Sequence, residues 1–188
     1  MFVDNIRIFA RAGKGGNGLV SFRRAKFVPK GGPDGGDGGD GGSVILEVDP
    51  HTNDLRSFFY DPKLIATDGV GGQSAKKHGK NGKSVIGKVP PGTIIYRSNA
   101  SSMAEATWLE REGEGIELEK IADLTEIGTR FTLCQGGLGG KGNWHFRSAT
   151  NQAPTEAEMG TEGEEGVFFM ELRRIADAGL VGYPNAGK

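Results

Sequence analysis

The chain has 188 residues, 36% of them hydrophobic, with a formal net charge of −1, 33 glycines and a single cysteine. That length allows one sizeable domain, or one domain and the beginning of another, and the lone Cys134 excludes an intramolecular disulfide and suits a reducing cytoplasm. No apolar run approaches the ~18 residues of a membrane span, and the start MFVDNIRIFARAG is too short and too charged for a signal peptide.

In chain order, Phe2 to Ala10 mixes β-branched and aromatic residues with polar ones and predicts a strand. Gly13, Gly15, Gly16 and Gly18 follow, and Leu19 to Arg24 alternates again. Residues 31–42 read GGP DGG DGG DGG, four triplets in register. Ser43 to Val48 predicts another strand. A second glycine-rich region, residues 68–83, gives way to a strand at Ser84 to Val89, a turn at Pro90-Pro91-Gly92 and a short strand at Thr93 to Tyr96. Weak helical periodicity runs from Ser102 to Glu112, with Ala104, Ala106, Trp108 and Leu109 on its apolar side. The strand Arg130 to Cys134 leads into a third glycine cluster, residues 136–142. Gly166 to Leu172 and Ala178 to Val181 close the pattern. The chain reads as mainly β and irregular structure.

A period of three matches the polyproline II helix, which has three residues per turn and no internal hydrogen bonds. In residues 34–42 each edge of such a helix is uniform, and Asp34, Asp37 and Asp40 share one. Two edges without side chains let several such helices pack closely and pair their backbones laterally. Alone, the segment would be a floppy coil, because glycine has the most entropy to lose. Order therefore requires the three glycine regions to meet in space. Four triplets with Pro33 as their only proline disfavour collagen, and a calcium-binding β-roll would need a nonapeptide repeat. A flexible linker is the remaining alternative.

Charge is unevenly distributed. Residues 1–100 carry 15 Lys and Arg against 9 Asp and Glu, whereas residues 101–188 carry 8 against 15. The first half could face a polyanion, or the two halves could be solvated surfaces of opposite sign. Cations lie among aromatics and glycines in three places: Phe22, Arg23, Arg24, Lys26, Phe27 and Lys30; Lys76, Lys77, His78, Lys80 and Lys83; and Lys141, Trp144, His145, Phe146 and Arg147. Cations pair with phosphates, aromatics stack on unpaired bases, and glycine admits close backbone approach. RNA contact is therefore expected at Arg23, Arg24, Lys26, Lys30, Lys76, Lys77, Lys80, Lys83, Lys141 and Arg147. For any single residue, a core aromatic or a solvated lysine is an equally good account. His51, His78 and His145 lack metal-ligand spacing, so no metal site is expected in this chain, and no nucleophile with its base stands out.

The last residues, Gly182, Tyr183, Pro184, Asn185, Ala186, Gly187 and Lys188, fit the first seven positions of the phosphate-binding loop G-x-x-x-x-G-K-[ST]. Ala178 to Val181 would supply the strand before it. Loop N–H groups cradle phosphates and the lysine reaches the β- and γ-phosphates. The eighth position, whose hydroxyl would ligate Mg²⁺, is not among the 188 residues. The chain is therefore expected to be the amino-terminal part of a longer protein, with no hydrolytic activity and no cofactor of its own.

Several blocks, in order, resemble the Obg family of GTPases: residues 1–49, then KVPPGT, IADLTEIGTR, GGLGGKGNWHF, NQAPTEAEMGTEGEEG and LRRIADAGLVGYPNAGK. The resemblance implies a mainly β fold, with glycine-rich polyproline II helices projecting from a small β-barrel-like base over residues 1–175. It implies that residues 176–188 begin an α/β P-loop GTPase domain using Mg²⁺ with GTP, in which Lys188 stabilises transition-state charge. It also implies a cytoplasmic, monomeric protein whose partners are the large ribosomal subunit and its rRNA, GTP and GDP, and guanosine tetraphosphate in the stringent response. Where the family usually has a short hairpin, residues 97–120 are longer and carry six Glu, which reads as an acidic insertion. A protein-docking module and a spacer that positions the GTPase domain are the competing readings.

Overall fold

The computed structural model describes residues 3–24, 26, 31–100, 102–112 and 117–173. Its strands are β1 (Asn5–Arg11), β2 (Val44–Val48), β3 (Lys63–Ile65), β4 (Val85–Val89), β5 (Thr93–Ser98), β6 (Leu118–Leu124), β7 (Arg130–Cys134) and β8 (Glu165–Leu172). Two helices, α1 (Arg56–Tyr60) and α2 (Met103–Glu112), and a 3-10 turn, Asn143–Phe146, complete the described elements. The strands form a five-stranded sheet in the order β3-β1-β8-β5-β6 and a three-stranded sheet in the order β4-β2-β7.

Alternating apolar residues explain how the sheets pack. Ile8 and Ala10 of β1, Leu46 and Val48 of β2, Leu133 of β7, and Phe168 and Met170 of β8 are buried in one core shared by both sheets. Gly87 of β4 leaves room for Phe58 of α1, because a Cβ there would lie 3.1 Å from Cε1 of that ring. The opposite face of the larger sheet also needs cover, since Phe9 pairs with Val167 there. Helix α2 supplies it through Met103 and the fully buried Ala106. Helix α2, within the stretch expected to be an acidic insertion, is therefore a packed layer of the base. Arg97 and Ser98 lie in β5, and Leu118 to Lys120 lie in β6.

Six of the eight described strands adjoin extended glycine-rich segments that form a projecting arm. The chain leaves along residues 13–19 after β1 and returns along 36–42 into β2. It leaves along 67–73 after β3 and returns along 77–83 into β4. It leaves again along 136–142 after β7 and returns along 158–164 into β8. Lateral hydrogen bonds recur every three residues, the period of the polyproline II helix. In one layer Gly13 N–H donates to Gly42 O (2.8 Å), Gly41 N–H to Gly137 O (2.8 Å) and Gly137 N–H to Gly13 O (2.9 Å). Three residues further out, Gly16 N–H donates to Gly39 O (2.8 Å), Gly38 N–H to Gly140 O (2.9 Å) and Gly140 N–H to Gly16 O (2.9 Å). A third layer is built on Leu19, Gly36 and Asn143. These bonds satisfy backbone groups that a three-residue helix leaves unpaired. The flexible-linker and collagen alternatives are thereby replaced by a bundle of six segments from one chain.

Close approach, rather than positive φ, is what demands glycine here. Among the described glycines only Gly92 and Gly128 have positive φ, and both lie in turns of the base. A Cβ on Gly38 would sit 1.8 Å from Gly16 O, and one on Gly15 would sit 1.9 Å from Leu138 O. The hydrogen bonds set the segments in two rows of three. The first segment lies between the sixth and third, and the second lies between the fifth and fourth. Central segments meet neighbours on two edges and carry two glycines per triplet. The two corner segments that bond to only two neighbours, 77–83 and 158–164, carry one per triplet.

Leu19 to Arg24 alternates like a strand but forms none. At the arm's tip Phe22 makes only an isolated bridge to Pro33.

Candidate nucleic-acid interface

Three loops meet at the free end of the arm, and Asn143 ties them together. It is fully buried. Its Oδ1 accepts from Gly35 N–H (2.9 Å), its Nδ2 donates to Ser21 O (3.1 Å) and Pro154 O (3.0 Å), and its own N–H donates to Leu19 O (3.0 Å). The second anchor is Asp34. The turn between the third and fourth segments holds Ala75 and Lys76 at φ 59° and 57°, a left-handed conformation costing roughly 1–2 kcal/mol per non-glycine residue. Asp34 grips that turn, its Oδ2 accepting from Ala75 N–H (3.2 Å) and its carbonyl from Lys76 N–H (2.7 Å).

The grip aims Lys76 at the third loop, where its Nζ lies 4.4 Å from the centroid of the Trp144 ring. Trp144 is 37% exposed and rides on the 3-10 turn that Asn143 begins. A groove beside it is lined by Pro33, Lys76, His145, Arg147 and Gln152. On the other side of the Ala75–Lys76 turn, Phe22, Arg23, Arg24 and Asp34 line a second groove. Lys77, Lys80 and Lys83 are exposed along the fourth segment. Their spacing of three puts them on one edge of a three-residue helix, about 9 Å apart. Lys141 lies on the fifth segment, beside the sixth, where Glu158 N–H donates to its carbonyl (2.9 Å). Lys26 is exposed, while Lys30, Phe27 and Gly182 to Lys188 lie outside the described residues.

Among the described residues, ion pairs are commoner in the base than on the arm. In the base, Arg56, Lys88, Lys120, Arg130 and Arg173 each lie against a carboxylate. Arg23, Arg24, Lys76, Lys77, Lys80, Lys83, Lys141 and Arg147 have no ion pair among the described residues. The arm's aspartates bond inward instead. Asp37 Oδ1 accepts from Gly142 N–H (2.7 Å), and Asp40 Oδ1 accepts from Gly139 N–H (2.8 Å). The other oxygen of Asp37 meets His145 Nε2 (2.8 Å) and His78 Nδ1 (3.4 Å). Burial pushes the Asp37 carboxyl up, but the Gly142 N–H, the His145 hydrogen bond and the two imidazoles outweigh it and lower it below its ordinary range. The charge contrast between halves of the sequence becomes a contrast across one arm. The fourth segment carries lysines, while the sixth, at the opposite corner, carries Glu158, Glu162 and Glu164. Lys14 bridges to Glu162 on that acidic side.

Asn143 and Asp34 were not legible as organisers of the tip. The register of Asp34, Asp37 and Asp40 signalled a shared edge but not its partners, and the three-residue step of the lysines was an available signal. Among the described residues, Ser148 bonds only within its own loop, to Thr150 and to the Asn151 N–H. Among the described residues no cluster could hold a metal ion, and no helix is long and apolar enough to cross a membrane.

The family model described as GTP1/OBG matches residues 3–174. Proteins named GTPase Obg are similar along the whole chain. That of Methylacidiphilum infernorum is 50% identical over 190 residues, 52% of its own length. Those of Nautilia profundicola and Chlorobium chlorochromatii are 50% and 51% identical, over 48% and 50% of their lengths. The chain thus spans about half the length of the curated relatives it matches. With a glycine arm set on two β sheets and a match covering nearly all its residues, this chain belongs to the GTP1/OBG family.

Proposed function

We propose that this chain is the RNA-contacting part of a GTPase that binds the large ribosomal subunit and acts in its late assembly. The observation that carries this reading is the set of unpaired cations along the fourth segment and around the tip. Exposed charges without carboxylate partners release counterions when they meet phosphates. The acidic sixth segment lies at the opposite corner, so the arm can present its basic side to a polyanion while the other faces away.

The whole protein, on this proposal, divides at about residue 175, and its P-loop domain hydrolyses GTP to GDP and phosphate. Gly182, Tyr183, Pro184, Asn185, Ala186 and Gly187 would cradle the phosphates, with Lys188 reaching the β- and γ-phosphates. Mg²⁺ bound with the nucleotide would neutralise phosphate charge. Guanosine tetraphosphate binding in that domain would link the protein to stringent control. The protein works as a cytoplasmic monomer.

Co-sedimentation with purified large ribosomal subunits across a salt series tests the arm's role. Binding should fall steeply with salt. Reversing Lys77, Lys80 and Lys83 to Glu should weaken it and lower the salt slope by about two to three. Unchanged binding in that triple variant would overturn the assignment.

A further inference from the structure

The groove at Trp144 has more chemistry than phosphate contact needs. An indole stands at the end of the arm, 37% exposed, outside both hydrophobic clusters of the base. Its position is fixed from below, since the 3-10 turn that carries it begins at the fully buried Asn143. Lys76 lies over the ring at 4.4 Å, on a turn held in the left-handed region by Asp34. Pro33 forms another wall, Arg147 brings a second cation, and Gln152 brings an amide that can both donate and accept.

We propose that this groove takes one unstacked nucleotide of single-stranded or looped RNA, its base on the Trp144 indole and its flanking phosphate between Lys76 and Arg147. The inference rests on the RNA-contacting reading of the arm and adds the form of RNA recognised. A flat π-face with a cation above it matches a base and its phosphate, because Lys76 is exposed and can exchange the ring for the phosphate. A base within a duplex is already stacked on both faces and cannot enter. Gln152 also lines the groove, and an amide that reached the edge of the base would give modest base preference.

The test uses the full 188-residue chain carrying Trp108→Phe, which leaves Trp144 as its sole tryptophan. A short single-stranded RNA of mixed sequence and a blunt duplex of equal length are titrated in parallel. Binding is read by anisotropy of labelled RNA and stacking by quenching of indole fluorescence. Single-stranded RNA should quench Trp144 and the duplex should not. Trp144→Ala should weaken single-strand binding about tenfold or more and leave duplex binding unchanged, with Trp144→Phe in between. Protection of the Gly35 amide, which bonds to Asn143, verifies that each variant keeps its tip. Bound single strands that leave Trp144 unquenched, or an equal loss on both RNAs in Trp144→Ala, would overturn the nucleotide groove but not RNA contact by the arm. No binding of either RNA at low salt, or binding unaffected by reversal of Lys77, Lys80 and Lys83, would overturn both.

Discussion

Replacing Gly38 by Ala separates steric necessity from ordinary glycine flexibility. The added Cβ would fall 1.8 Å from Gly16 O and 2.3 Å from Gly16 C, both backbone atoms that cannot rotate away. Restoring van der Waals contact requires the first and second segments to part by roughly 1.5 Å. That movement stretches three bonds of one layer: Gly16 N–H to Gly39 O, Gly38 N–H to Gly140 O, and Gly140 N–H to Gly16 O. At about 1 kcal/mol per hydrogen bond, and more where a buried group stays unpaired, the loss is about 3–6 kcal/mol. A stiffer unfolded chain returns only about 0.4–1 kcal/mol. Gly71 in the third segment is the control, because its nearest foreign atom is Asn17 O at 3.4 Å and its φ is not positive. Native-state hydrogen exchange reads both variants. Gly38→Ala should speed exchange of the Gly16 and Gly140 amides about a hundredfold or more while the β1–β8 amides stay protected. Gly71→Ala should leave exchange nearly unchanged. Equal behaviour of the two variants would refute the close-packing account.

Asn143→Ala leaves the Gly35 N–H and the Ser21 and Pro154 carbonyls without their partner, and should destabilise the tip by about 2–4 kcal/mol, read as lost Gly35 amide protection. The Asp37 carboxyl is lowered in the folded arm, so its contribution is complete above the ordinary value of 3.8 and is lost as pH falls through the depressed value. Protection of the Gly142 amide should therefore decline only under strong acid, and Asp37→Asn should remove that dependence. Burial pushes the Cys134 thiol up to about 12, with Glu164 and Glu165 adding to it against Arg97. An aromatic disulfide reagent at mildly alkaline pH should thus modify Cys134 only as fast as β7 opens, and a rate equal to that of a free thiol would contradict this burial.

The base was legible wherever apolar residues alternate against a buried face, as in β1, β2, β7 and β8. It was not legible in β6, whose residues Leu118 to Lys120 are all exposed on an acidic edge strand. The short α1 and β3 carry too few residues for any period to emerge. Leu19 to Arg24 misled in the opposite sense, because alternation specifies a strand only when another strand pairs with it. In the arm, the triplets of 34–42 announced a three-residue helix because a central segment needs two bare edges. Residues 158–164 announced nothing, since a segment with only two neighbours needs only Gly160 and Gly163. Within the candidate interface, the cations were readable from composition. Their arrangement was not, because it depends on Asp34 and Asn143 bonding to residues 41 and 108 positions away.

The stacked layers also constrain which insertions and deletions the chain can accept. Each layer takes one register position from all six segments, so adding a triplet to one segment leaves its new amides without partners and pushes the following layers out of step. Lengthening the arm by a single layer would take eighteen residues inserted at six separate places together, three in each segment. Reach is therefore quantised at about 9 Å and nearly frozen, whereas the connection between β5 and β6 takes no part in the layers. The connection that carries α2 lies outside that register, at the end where added length displaces no layer.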